Sequence, residues 1–277
     1  MLNLLKNDLL RIIKDKTIIV IIAITVSLAF ARPLISALPG FIYNQLNPDN
    51  KINVREQAAA FDLFLESFSI NGAVGILAPI FLIILIAKDI NFGTIRNKII
   101  LGYSRTKIYL SYLLTAFISM VVIMFGYAIL TLLFSLAFFN PFANNIDVGQ
   151  YIGFIFLMLF VYLILYAFII SFVLFTRISL KGNASTIAIY IVVILSLELL
   201  GVTCFAISEF FIDINGNVSF NIFTFLSNIN PIYYIGETSS LDKFYLSDLL
   251  WMTIPTLIYA SLNIFFGLLI INKKDIK

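Results

Sequence analysis

Lys88-Asp-Ile-Asn-Phe-Gly-Thr-Ile-Arg-Asn-Lys-Ile-Ile-Leu-Gly-Tyr-Ser-Arg-Thr-Lys107 is a polar, basic island between two long apolar runs. Lys88, Arg96, Lys98, Arg105 and Lys107 make it a strongly cationic segment of the chain. A positive excess beside a membrane span marks the cytoplasmic side, so this loop is expected in the cytosol. It also carries a helix pattern of its own. Asn91 suits the N-cap of a helix that begins near Phe92 or Gly93. Ile95, Ile99 and Ile100 then share one face, Arg96, Asn97 and Lys98 point elsewhere, and Gly102 follows the last apolar residue as a stop. Ser104 is placed to cap the next helix. A two-turn helix does not hold itself together in water, so its apolar face is expected to rest on lipid or on a partner protein. The alternative is a basic loop that only enforces topology.

Outward from this loop the chain is greasy. Of its 277 residues, 61% are hydrophobic and 12% charged, and the mean hydropathy is +1.03. Soluble domains are about half apolar and about a quarter charged, so the composition is that of an integral membrane protein. The basic residues sit at span ends and do not form a face on a polar body, which argues against nucleic-acid binding. There is one cysteine, Cys204, and no histidine. That leaves no intrachain disulfide, no metal site and no histidine base, so no catalytic residue is assigned and enzymatic chemistry is not expected. The N-terminus, Met1-Leu-Asn-Leu-Leu-Lys-Asn-Asp8, lacks the layout of a cleaved signal peptide, so the first span is expected in the mature protein.

A helix needs about 20 mostly apolar residues to cross a bilayer core of about 30 Å. Six segments of this single transmembrane domain, residues 1–277, meet that test: about 17–38, 70–87, 108–139, 151–175, 186–207 and 249–271. The third, at about 48 Å, must tilt, kink near Gly126 or project from the bilayer. Six spans put Lys6, Arg11, Lys14 and Lys16, the 89–107 loop, Arg177, Lys181 and the terminal lysines on one side, so both termini are expected in the cytoplasm. Ahead of the first span, residues 1–16 place Leu2, Leu5, Leu9, Ile12 and Ile13 at helical spacing, predicting an amphipathic helix in the interface. Before the sixth span, the run from Phe220 to Pro231 is too short to cross and is expected to dip into the membrane or lie on its surface. The predicted fold is therefore all-α, with six transmembrane helices, an interfacial N-terminal helix, a short cytoplasmic helix between spans 2 and 3, and short re-entrant or surface helices before span 6.

Two ionisable residues fall inside spans. Glu198, in Ile194-Leu-Ser-Leu-Glu-Leu-Leu-Gly201, costs at least about 2.5–3.5 kcal/mol to insert unless it faces a cavity or partner. It reads as a translocation-path or subunit-interface residue, or as a protonated carboxyl bonded to Ser196, Thr203 or a neighbouring helix. Arg32, before Pro33, reads as an anchor that snorkels to the outer headgroups.

Phe92-Gly-Thr-Ile-Arg-Asn-Lys98, followed by Ser104-Arg-Thr-Lys-Ile-Tyr-Leu-Ser111, resembles the loop of bacterial ABC transporter permeases of the type-2 exporter class. Asn230-Pro-Ile-Tyr-Tyr234 before the last span is similar to that class as well, although Lys88-Asp89 stands where many relatives carry Glu. The resemblance implies that the loop holds a coupling helix seated in a cleft of an ATPase subunit. Phe92, Gly93, Thr94, Ile95, Arg96, Lys98 and Ile99 would be its coupling residues. It also implies two ATPase subunits carrying ATP and Mg, and a second permease subunit, identical or homologous, in the membrane lipid of a bacterial cell. The substrate would be an amphipathic peptide, such as a bacteriocin or toxin, or a lipid-like molecule. No G-x-x-x-x-G-K-[ST] occurs in the chain, so no cofactor is expected on it and its energy would come from the partner. The alternative from a different class is a secondary transporter or channel; such proteins usually carry several intramembrane ionisable residues or broken-helix repeats.

Overall fold

The structure is a computed structural model that describes residues 2–48, 50–70, 72–91, 93–142, 148–180, 182–210, 221–237 and 247–273. Apart from one 3-10 turn at Val54–Glu56 and an isolated bridge between Ala59 and Asn140, regular structure among these residues is α-helical. In chain order the helices are α1 (Leu2–Lys14), α2 (Thr17–Leu46), α3 (Ala60–Glu66), α4 (Ala73–Asn91), α5 (Thr94–Ile100), α6 (Arg105–Phe138), α7 (Val148–Ser179), α8 (Asn183–Glu209), α9 (Ile222–Asn228), α10 (Pro231–Glu237) and α11 (Asp248–Lys273). Five of them, α2, α6, α7, α8 and α11, are long and apolar enough to cross a membrane; α4 and α5, bent by 54° at their joint, make a sixth if the bent pair counts as one span. The chain is an all-α, multi-pass membrane protein.

α7 is apolar all round, and a helix without a polar face belongs at the centre of a bundle. Tyr151, Tyr162, Tyr166, Val173 and Leu174 on it are fully enclosed, with α4, α6, α8 and α11 packed around it. α2, α8 and α11 instead turn rows of Ile, Leu, Val and Phe outward. Exposed apolar rows on span-length helices are what a lipid-facing surface requires.

α6 runs unbroken through Gly126 for 34 residues, about 51 Å. α2 and α7, with 30 and 32 residues, are similarly long. At one end of the bundle this excess forms a shoulder. There Asn44 bonds the backbone of Ile52 through both its amide groups, and the amides of Ala60 and Phe61 donate to the carbonyls of Asn140 and Pro141.

The segment expected to cross at 70–87 is differently built. Lys88, on α4, bonds Asp15 and Thr17 at the start of α2, which gives the two antiparallel helices a common level. Arg32 lies 15 residues up α2 from that level and Gly72 lies 16 residues back from Lys88, both about 22–24 Å away at 1.5 Å per residue. They meet: a Cβ on Gly72 would sit 3.4 Å from the Arg32 guanidinium. α4 therefore begins inside the bundle, and α3 descends to it from the shoulder. The non-helical joint is sheltered by protein. Ser67 and Phe68 are buried, and the hydroxyl of Tyr166, midway along α7, donates to the Phe68 carbonyl at 2.8 Å. Irregular backbone at membrane depth needs such satisfaction.

The Arg32 guanidinium, expected to anchor at the outer headgroups, pairs with Glu66 at 2.6 Å, at the foot of α3. Before α11, α9 and α10 form a short helical pair packed on α8. Their turn, at Asn230, donates to the carbonyl of Leu197, the 15th of 27 residues in α8. The Tyr233 ring fills the space left by the missing side chain of Gly201. Of the two sequence expectations for this run, dipping into the bundle is the one the packing of the described residues supports.

Candidate functional site: the ion-paired joint of α1, α4, α5 and α6

The loop quoted first folds as predicted in outline and differently in detail. Phe92 lies outside the described residues, as does the side chain of Asn91. The N-cap position of α5 falls on Gly93, which has φ +69° and no side-chain cap. This left-handed backbone costs about 1–2 kcal/mol for a residue with a Cβ and little for glycine. α5 ends at Gly102, φ +86°. The amide of Tyr103 donates to the Lys98 carbonyl at 3.1 Å and that of Gly102 to the Ile99 carbonyl at 2.9 Å. These are the two bonds of a Schellman stop. Ser104 then caps α6 by accepting from the Lys107 amide at 3.4 Å. Arg105 donates to the carbonyls of Ile271 and Asn272 at 3.2 and 3.0 Å, tying the start of α6 to the end of α11.

The faces of α5 are not those expected. Ile95 is buried in the chain's own core, and Ile99 packs partly against it. Lys98, expected to point away, is buried beside them. Its ammonium lies 2.7 and 2.9 Å from the two carboxylate oxygens of Asp8 and 4.1 Å from the centre of the Tyr112 ring. What α5 presents outward is Arg96, Asn97, Ile100 and the following Leu101, the last two 72% and 76% exposed. The apolar face meant for a partner is thus divided. One side holds α5 to its own bundle, and the tip is left open.

Asp8 belongs to α1, and three ion pairs join that helix to the loop. Asp8 takes Lys98 and also accepts from the Ser111 hydroxyl of α6 at 2.8 Å. Arg11 bonds Asp89 and lies 3.8 Å from Asp8. Asp15, just past α1, takes Lys88 at 2.8 Å from both its oxygens, and its Oδ1 also accepts from the amide and hydroxyl of Thr17. Residues 8, 11 and 15 fall on one face at i, i+3 and i+7. Together with Thr94 they line a cavity of about 240 Å³ between α1, α4, α5 and α6.

The electrostatics follow from these contacts. The Lys88 hydrogen bond, helped by Thr17, holds the Asp15 carboxyl down at about 2 against its ordinary 3.8. Burial pushes the Lys98 ammonium below its ordinary value, and the Asp8 contact opposes that shift. Three carboxylates face three cations, so the joint is neutral. Its chemistry is mechanical attachment. Among the described residues no group of His, Cys, Asp and Glu gathers to hold a metal ion.

Sequence reasoning missed Asp8, Arg11, Asp15, Asp89 and Ser111. The available signal was that acids and one arginine share a face of α1 while Lys6, Lys14 and Lys16 stand off it. Glu198 belongs elsewhere. It is half-buried on α8, one turn before the Gly201–Tyr233 contact, and is not brought to this joint.

Fold and site together define a multi-pass helical membrane protein whose basic loop is anchored to its own N-terminal helix. No protein-family model matches the chain, and no curated protein matches it.

Proposed function

We propose that the chain is the membrane-spanning subunit of an ATP-driven ABC exporter, with both termini cytoplasmic in a bacterial plasma membrane, paired with a second permease and two ATPase subunits. α5 is the coupling helix. The observation that carries the reading is its division into an anchored side, Ile95 and Lys98, and an open tip, Arg96, Asn97, Ile100 and Leu101. A topological loop has no need of a Schellman stop, a buried ammonium and two adjacent exposed aliphatic side chains. The exposed aliphatics would enter an ATPase cleft, and the ion pairs would carry the resulting displacement into α1, α4 and α6. An amphipathic peptide or lipid-like molecule is the expected cargo.

The test uses the full chain purified in mild detergent from its native membrane. A photo-crosslinking residue at position 101 is expected to capture a protein that carries a P-loop and hydrolyses ATP. Leu101→Asp and Ile100→Asp are expected to remove that protein, while Leu250→Asn, at the opposite end of the bundle, leaves it bound. Cross-linking to lipid alone, with no ATPase retained, would overturn the reading. Ile95→Asp is a poor test, because Ile95 is core.

A further inference from the structure

A groove of about 570 Å³ lies between α7, α8, the α9–α10 turn and α11. Its size is that of a small-molecule site. Phe172, Leu197, Leu200 and Phe266 are among its walls, and among the described residues no Asp, Glu, Lys or Arg lines it. Leu200 and Phe266 on its rim are exposed on span-length helices, so it opens sideways, toward where lipid would lie. Two side-chain amides line it at mid-depth, Asn230 and Asn263. Asn230 is committed to the fold: its amide donates to the Leu197 carbonyl, and its oxygen accepts from the Ile232 amide at 3.3 Å. Asn263 is not. It sits 15 residues along α11 from Asp248 and 10 from Lys273, half-buried, with no hydrogen bond to any described residue. A carboxamide without a partner in hydrocarbon is costly, and lipid chains offer it none.

We propose that this groove binds an uncharged amphiphile from the bilayer, its apolar chain against Phe172, Leu197 and Phe266 and one neutral hydrogen-bonding group, such as an amide, on Asn263. The described lining offers an ionised headgroup no opposite charge, which favours an uncharged ligand. The unpaired amide distinguishes this ligand from a bare acyl chain, which would fill the volume and leave Asn263 unsatisfied. The proposal does not rest on the exporter reading.

Cys204, the chain's single cysteine, lines the same groove and reports its occupancy without any substitution. The full-length protein in lipid nanodiscs is alkylated with N-ethylmaleimide and the rate at Cys204 followed by mass spectrometry. Oleamide is expected to slow alkylation saturably, at a concentration about fivefold below that needed with 1-octadecene, the preference one net hydrogen bond confers. Oleate is expected to protect less than oleamide. In Asn263→Leu the two neutral compounds become equal while both still protect. The proposal is overturned if neither neutral compound protects, if both protect the unaltered chain equally, or if oleate protects best. It is also overturned if a bis-maleimide joins Cys204 of two copies at a rate indifferent to oleamide, since the face would then be an interface between copies. The ligand series on the unaltered chain decides even if Asn263→Leu does not fold.

Discussion

Replacing Asp8 by Asn tests the joint between α1 and α5 at its most enclosed point. The substitution keeps the shape of the side chain, removes its charge and turns one of its two acceptor oxygens into an NH2 donor. Lys98 then remains beside the Tyr112 ring with no carboxylate, in a place where burial already disfavours its ammonium form. Breaking one side of a buried ion pair costs about 3–5 kcal/mol, against about 0–1 for an exposed pair. On the scale of a domain of 150–250 residues that is about 6–20 °C in the unfolding midpoint. Lys98→Met strands the opposite charge and is expected to cost somewhat less, because Ser111 still donates to Asp8 and Arg11 is 3.8 Å away. Asp8→Asn with Lys98→Met leaves neither charge and is expected to recover most of the loss, so the cycle shows a strong coupling. The assay is the apparent midpoint by size-exclusion chromatography after heating in one detergent at one rate, since membrane proteins often unfold irreversibly. Single variants that shift the midpoint by less than about 2 °C, the scale of an exposed pair, would refute the reasoning. So would a double variant equal to the sum of the singles.

Gly93→Ala and Gly102→Ala are each expected to lower stability by about 1–2 kcal/mol through backbone strain alone, since a Cβ at either site meets open space; Asn should fall between. Gly75→Ala should prevent folding, because its Cβ would lie 2.4 Å from the Ser69 carbonyl oxygen and 2.6 Å from the Ile70 Cα; yield of monodisperse protein after extraction checks it. Asp15 has a folded value of about 2 below its ordinary 3.8, so its link to Lys88 stabilises fully above about pH 4 and is lost as the pH falls through about 2. The difference in midpoint between the native chain and Asp15→Asn should therefore be constant from pH 7 to about pH 4 and shrink below it.

The long spans were legible because bilayer thickness and hydropathy leave little choice of structure, and Gly102 was legible because a helix stop is local chemistry. The α3–α4 break was not. Ala60–Glu66 is only seven residues long and carries Asp62 and Glu66, so hydropathy alone does not join it to α4. Its carboxylates are met by Tyr151 and Arg32, 89 and 34 residues away. The same holds for Lys98. On the sequence of α5 it belongs with Arg96 and Asn97, and only a carboxylate 90 residues earlier draws it inward. A window of ten or twenty residues contains periodicity and caps; it does not contain partners.

The pairing pattern also decides how the joint would move under the exporter proposal. If α5 were fixed only by Ile95 and Ile99, a push on Ile100 and Leu101 would rotate a seven-residue helix between its two glycines, and the spans would feel little. Instead Lys98 is bonded to Asp8, Asp8 to Ser111 of α6, and Arg11 and Asp15 to Asp89 and Lys88 of α4. Pivoting α5 alone would separate Lys98 from Asp8 and strand both charges, a cost of about 3–5 kcal/mol. Displacing α1, α5 and the near ends of α2, α4, α6 and α11 together breaks none of these bonds, nor those of Thr17 and Arg105 that tie α2 and α11 to the joint. The cheaper motion is therefore the collective one. α1 then serves as the brace that makes α5 a lever on the spans, which gives the first sixteen residues a mechanical role beyond resting on the membrane.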